Sequence, residues 1–122
     1  MNPTTVKLAL PHSLVLVLDP IFGEIPASLS GELITATNSC LAIGTRPEMD
    51  GETELVLGNS ESIDQEERPA FKGILRTPSH KIAICSALNV TLIEMLVPSI
   101  ETVVRVWVND STEPDRIIIG IG

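Results

Sequence analysis

Prolines are spread along the whole chain, and their spacing limits the fold more than any other feature. Nine of the 122 residues are proline, and each proline ring fixes φ and removes a backbone hydrogen-bond donor. Because they are spaced so evenly, they exclude a long helix and are expected at strand edges and in loops. The runs between them are rich in Val, Ile and Thr, which favour strands. The sequence therefore predicts an all-β fold, an antiparallel β-sandwich or small barrel of about 8–10 short strands with at most one short helix.

The strands are predicted from apolar and β-branched runs that end at Pro, Gly, Asn or Asp. A chain of 122 residues suits one domain, 1–122, that can bury its own core. Ten strands are expected, at Thr4–Leu10, Leu14–Asp19, Leu33–Thr37, Cys40–Thr45, Thr53–Gly58, Gly73–Thr77, Lys81–Ser86, Val90–Val97, Thr102–Asn109 and Arg116–Ile121.

Two segments could be helical instead. Ser60–Arg68 has hydroxyl caps and early acids but a single apolar residue, so we expect at most a short surface turn. Ser86–Val97 has leucines at helical spacing, yet its β-branched residues favour a strand by a small margin.

The two cysteines have no metal-site or redox-motif spacing. Cys40 and Cys85 lie 45 positions apart, without a CxxC motif, and each is in an apolar stretch. Two buried free thiols are the preferred prediction, and a cross-strand disulfide is the alternative.

The alternation of residues between two faces is clearest in the predicted strand 102–109. Thr102, Val104, Val106 and Val108 share one face, which we expect to meet the core, and the other face carries Arg105 and Trp107. Arg and Trp are enriched in interface hot spots, so this pair is a candidate contact point. The alternative is that Trp107 fills a second apolar layer with Arg105 at its rim.

Three strands are apolar on both faces. They are Leu14–Leu18, Leu92–Val97 and Ile117–Ile119, and strands of this kind are usually covered on both sides. A chain with almost no helix has little material for a second cover. We therefore expect a second copy to supply it, in a homodimer or higher oligomer.

The net charge of −8 comes from one segment. Residues 48–67 contain eight acids and no Lys or Arg, while the other 102 residues hold eight acids and eight bases. The acidic hairpin and loop at 48–67 could attract a basic protein or bind a divalent cation. The alternative is a solvated loop that keeps an apolar domain soluble. Its acids are Glu48, Asp50, Glu52, Glu54, Glu61, Asp64, Glu66 and Glu67.

The sequence contains no recognisable catalytic or metal-binding motif. The segment 48–67 does not match the EF-hand loop, and the oxygen-rich loop 109–115 is interpreted as a turn between two strands. His12 and His80 both lie in predicted turns, and no nucleophile elbow, dinucleotide fingerprint or phosphate loop is present. We therefore assign no catalytic residue, no metal site and no cofactor.

The sequence favours a non-enzymatic protein-interaction module. It would act as an inhibitor or adaptor for a basic protein partner through the acidic segment, with Arg105 and Trp107 as a further contact. The alternatives are a small enzyme or metal-dependent binding domain built around His12 or His80, or a self-assembling structural subunit. Acidity and few aromatics argue against nucleic-acid binding. No run is long enough to span a membrane or to form a full signal-peptide core, so we expect a cytoplasmic location.

Overall fold

The ten predicted strands all form in the computed structural model, which describes residues 3–28, 31–63, 65 and 67–122. In the described residues the helical segments are three single 3-10 turns, at Pro11–Ser13, Glu48–Asp50 and Ser60–Ser62, and there is no α-helix. The strands are β1 Thr4–Leu8, β2 Leu14–Leu18, β3 Ile34–Ala36, β4 Cys40–Gly44, β5 Thr53–Asn59, β6 Phe71–Arg76, β7 Lys81–Ser86, β8 Thr91–Leu96, β9 Glu101–Val108 and β10 Arg116–Ile121.

Both segments of ambiguous periodicity are settled. Residues 86–97 form the end of β7, a turn and then β8, so the β-branched residues decide for strand. Within Ser60–Arg68, where residues 64 and 66 lie outside the described residues, the expected short surface turn is seen as the 3-10 turn Ser60–Ser62.

The strands form two five-stranded sheets, as expected for an all-β sandwich. Sheet A has the order β1-β5-β10-β9-β6, and sheet B has the order β3-β4-β2-β7-β8. Neighbouring strands are antiparallel except for β5 and β10, which run parallel. The main core lies where the inner faces of the two sheets pack together, and it includes Val17, Leu55, Ile84, Val106 and Ile119.

The parallel pair determines which loops meet. Its register places Arg116 opposite Glu54 and Ile121 opposite Asn59. Because β5 and β10 are parallel neighbours, they begin at the same end of sheet A, and the turn before β5 and the loop before β10 lie side by side. The loop that follows β5 leaves from the opposite end of the strands.

A second apolar cluster lies on the outer face of sheet B and is also buried. It contains Leu16, Leu18, Cys40, Ala42, Ala83 and Cys85, each at most 4 % exposed. On the other sheet, Ile118 on the outer face of β10 is 5 % exposed. The chain therefore covers both faces of β2 and β10 by itself, which corrects the expectation that they need an outside partner. Strand β8 differs, because Leu96 is 74 % exposed.

The two cysteines are buried and free. Cys40 on β4 and Cys85 on β7 are separated by β2, where they lie opposite Leu18 and Leu16. Two strand spacings of about 4.8 Å put the two Cα atoms beyond the ~7 Å that a disulfide can bridge, which excludes the cross-strand disulfide. Burial raises the pKa of the Cys40 thiol to about 12.

A buried carboxylate joins two turns at one end of the sandwich. Asp19 follows β2 and is fully buried. Its Oδ1 accepts hydrogen bonds from the backbone N–H groups of Ile21, at 2.8 Å, and Phe22, at 3.0 Å. Its Oδ2 accepts one from Ser79 N–H at 2.8 Å. Asp19 thus ties the loop after β2 to the β6–β7 turn. In the described residues no helix is long and apolar enough to cross a membrane.

Candidate protein-binding site

The described acids of the segment 48–67 do not form one surface. Strand β5 runs through it and spans about 20 Å at ~3.3 Å per residue. Glu48, Asp50 and Glu52 precede this strand, and Glu54 is its second residue. Glu61 follows its far end. Acids that are close in sequence therefore lie at opposite ends of strand β5.

Three acids of the segment come after Glu61. Asp64 and Glu66 lie outside the described residues. Glu67 is exposed on the outer face of sheet A, where its carbonyl oxygen accepts a hydrogen bond of 2.9 Å from Trp107 Nε1. Glu67 therefore lies beside β9, shortly before β6 begins.

A groove forms where the turn before β5 meets the loop before β10. It consists of two adjoining concavities of about 340 Å³ each, which share Arg46, Asn109 and Asp115. Six acids line the groove together with three bases, Lys7, Arg46 and Arg116, so its net charge is negative. We call it the acidic groove; its acids are Asp50, Glu52, Glu54, Asp110, Glu113 and Asp115.

Arg46 holds the two loops together. Its Nη1 lies 3.3 Å from Asp115 Oδ2, and its Nη2 donates to the backbone carbonyl of Asp50. Its own N–H donates to the carbonyl of Pro114 at 3.0 Å. Since surface ion pairs contribute little stability, the main effect of these contacts is to fix the position of one acidic loop against the other.

Asn109 and Arg116 also line the groove. Asn109 Nδ2 donates to Asp115 Oδ1 at 2.6 Å, and Asn109 Oδ1 accepts from the N–H groups of Asp115 and Arg116. Arg116 Nε forms an ion pair of 2.9 Å with Glu54 Oε1. Two of the six acids, Glu54 and Asp115, are thus paired with the guanidinium groups of the groove.

Asp110 is held in its charged form by its own loop. Its Oδ1 accepts hydrogen bonds from Glu113 N–H, Thr112 N–H and Thr112 Oγ1. These hydrogen bonds, led by the one from Glu113, lower the pKa of Asp110. This carboxylate therefore keeps its negative charge at neutral pH.

A third and larger concavity adjoins the acidic groove. It has a volume of about 490 Å³ and shares Asn109 and Arg116 with the groove. We call it the Trp107 concavity; its lining residues are Gln65, Glu67, Trp107, Val108, Asn109, Arg116 and Ile118.

Trp107 is half-buried against its own sheet. It lies opposite Ile118 on β10, and a Cβ at Gly120 would come within 2.9 Å of its Cζ3 atom. The ring therefore needs a glycine at position 120 for its close approach. Arg105 does not reach this concavity with its Nη1, which donates to Ser60 Oγ at 3.2 Å and to the carbonyl of Gly122. The two faces predicted for β9 are confirmed by the burial pattern.

The two histidines do not share a site. His12 precedes β2, and His80 lies in the turn next to Asp19, which follows β2, so they are at opposite ends of sheet B. In the described part of the chain no three His, Cys, Asp or Glu side chains are grouped so as to hold a metal ion.

Sequence reasoning missed half of the acidic groove. Asp110, Glu113 and Asp115 were interpreted only as part of a turn, and the bases Arg46 and Arg116 were not singled out. Their only signal was the concentration of oxygen-bearing side chains in 109–115. That loop lies about 60 positions from the turn before β5, and the sequence contains no sign that β5 and β10 pair.

These features define a class of protein. It is a small all-β sandwich with a negatively charged groove at one end of a sheet. No protein family and no curated protein sequence matches the chain.

Two solved structures are similar to it. One is ComJ from Bacillus subtilis, described as an inhibitor of the DNA-degrading activity of NucA, with a TM-score of 0.64 and 11% identity over 97% of this chain and 93% of ComJ. The other, described as crocagin biosynthetic gene J, has a TM-score of 0.51 and 13% identity over 98% of this chain and 94% of its own. At such low identity the likeness shows a shared fold.

Proposed function

We propose that this protein is a non-enzymatic, cytoplasmic interaction module that acts as an inhibitor of, or an adaptor for, a basic protein partner. The observation that carries the proposal is the convergence of six acids into one groove. Three come from the turn before β5 and the start of β5, and three come from the loop before β10. The acidic segment contributes Asp50, Glu52 and Glu54 to this surface, and Glu48 lies in the turn beside them. Complementary charge of this kind speeds association and selects partners.

The shared fold suggests which kind of partner to consider. ComJ is described as an inhibitor of a DNA-degrading activity. An enzyme that binds DNA needs Lys and Arg to contact the phosphates, so its binding surface is basic and complementary to an acidic groove. A nuclease-like partner is therefore the specific form of the proposal.

The first prediction concerns the charge of the groove. An oligoarginine peptide should bind the protein, and the double variant Glu52→Lys, Glu113→Lys should bind it about tenfold more weakly or worse. These two carboxylates are chosen because neither takes part in the ion pairs of Arg46 and Arg116. Calorimetric titration at ~50 mM and ~500 mM salt measures both the affinity and its screening.

The matched control is Glu24→Lys, Glu32→Lys, which changes the net charge equally at two exposed acids between β2 and β3. It should retain most of the affinity. A peptide affinity that does not change with salt concentration, or that falls equally in both double variants, would contradict a specific role for the groove.

We further propose that the homodimer or higher oligomer expected from the sequence is a homodimer, formed through one edge strand of sheet B. Strand β8 is an edge strand of sheet B, and the three exposed apolar side chains Leu88, Val90 and Leu96 lie on it or in the turn before it. Light scattering at micromolar concentration should give twice the 13.1 kDa of one chain. The variant Leu96→Lys should give the monomer mass, because it places a charge on the edge. A monomer mass for the unaltered protein would overturn the proposal.

A further inference from the structure

The proposed function leaves the Trp107 concavity without a role. It adjoins the acidic groove, with which it shares Asn109 and Arg116. A partner seated in the groove would therefore reach it without a break. Its volume of about 490 Å³ lies in the range of ligand pockets.

Trp107 lines this concavity, and its indole is held at two points. Its Nε1 already donates to the carbonyl oxygen of Glu67 at 2.9 Å, so the N–H group is not free for a ligand. The Cζ3 side of the ring lies against Gly120 of β10. An immobilised aromatic ring beside a hollow attracts a cation through its negative π face.

Two charged residues line the concavity, the acid Glu67 and the base Arg116. Glu67 is an exposed carboxylate on its wall. The cation in its lining, Arg116, forms an ion pair with Glu54, so its charge is balanced. The other cation on the outer face of β9, Arg105, donates away from the concavity to Ser60 and Gly122.

We infer that the Trp107 concavity receives a Lys or Arg side chain of the protein partner, with the cation between the Trp107 ring and the Glu67 carboxylate. The inference rests on the proposed function, since it assigns a second contact to the same basic partner. It makes Trp107 and Glu67 determinants of specificity for a partner that has a cationic side chain next to the surface held in the acidic groove.

The test uses an oligoarginine peptide and the fluorescence of Trp107, which is the only tryptophan of the chain. The peptide should change the emission in a saturable way, and an oligoglutamate peptide of equal length should not. By calorimetry, Trp107→Leu and Glu67→Gln should each bind oligoarginine about two- to fivefold more weakly, as expected for losing one cation contact at a partly exposed site. Phe22→Leu, which removes an exposed aromatic side chain elsewhere, should bind as the unaltered protein does.

The outcomes distinguish this inference from the proposed function. In one outcome, oligoarginine binds and its affinity falls in the groove variants, but the Trp107 emission does not change and Trp107→Leu and Glu67→Gln bind as the unaltered protein does. The inference is then wrong, and the proposed role of the acidic groove stands. If the emission and these two variants respond but the groove variants do not, the inference stands and the groove is dismissed. Absence of oligoarginine binding overturns both. A DNA oligonucleotide that changes the Trp107 emission in place of oligoarginine also overturns the inference. Because Glu67→Gln alters one exposed side chain, it keeps the test valid even if Trp107→Leu does not fold.

Discussion

Replacing Asp19 by alanine is expected to lower the free energy of unfolding by about 3 kcal/mol. The carboxylate is fully buried and accepts three backbone N–H groups, from Ile21, Phe22 and Ser79. Alanine would leave these donors without their acceptor, and hydrogen bonds to a charged group are stronger than those between neutral groups. Chemical denaturation monitored by circular dichroism measures the loss.

The contribution of Asp19 to stability is also expected to depend on pH, with a definite sign. Burial alone would raise the pKa of Asp19, but the hydrogen bonds from Ser79, Ile21 and Phe22 outweigh it and lower the pKa below the ordinary value. A carboxyl group with a lowered folded-state pKa stabilises the fold fully above the ordinary Asp pKa of about 3.9, and loses this contribution as the pH falls through the folded value. The stability gap between the unaltered protein and Asp19→Asn should therefore be widest near neutral pH and should shrink in acid.

Asp110→Asn is the matched control for this prediction. Asp110 also accepts three hydrogen bonds and also has a lowered pKa, but it is exposed and its donors belong to its own loop. Water can replace those bonds, so the control should change stability far less. If Asp19→Asn and Asp110→Asn lower the free energy of unfolding equally, the burial of Asp19 does not explain the contribution of its hydrogen bonds.

Truncation of Ile119 to alanine should cost about 3–4 kcal/mol, within the range for a large side chain removed from a packed core. Ile119 lies on β10 between Leu57 of β5 and Val106 of β9, is 0 % exposed, and belongs to the core between the two sheets. The lost transfer free energy and the cavity left behind both contribute. Urea denaturation with an unchanged slope would show that only the stability has changed.

The comparison variant is Ile74→Ala, at another isoleucine of sheet A that is 59 % exposed on β6. Its cost should stay within about 0.5 kcal/mol, the usual size for a surface change. Similar losses at the two positions would be inconsistent with a core located between the sheets.

The strands could be predicted because their signals are local. The alternation of Val104 and Val106 with Arg105 and Trp107 depends only on the two-residue period of a strand, and the structure confirms both faces. The β-branched residues of 91–96 likewise overcome a competing helical spacing. The edges of β1 and β6 were misplaced by about two residues, since neighbouring strands decide where pairing stops.

The candidate site could be predicted only in part, because it depends on pairing between distant segments. The acidic pattern of the sequence includes Asp50, Glu52 and Glu54 but groups them with Glu61, which lies beyond the far end of β5. Long-range pairing leaves no local pattern, so the contribution of the loop 109–115 could not be seen. For the same reason the apolar outer face of β2 was assigned to a second copy, although the chain buries it by itself.

The sequence by itself determined the class of fold and the size of the negative charge. Prolines exclude long helices, β-branched runs form strands, and the acids between 48 and 67 account for the whole net charge. The tertiary structure decided where that charge acts. The parallel pairing of β5 and β10 brings the loops that precede them to one end of the sheet, and Arg46 fixes them together. Chain topology, through contacts between residues about 60 positions apart, thereby turns one acidic stretch into a groove at one end and separate charges elsewhere.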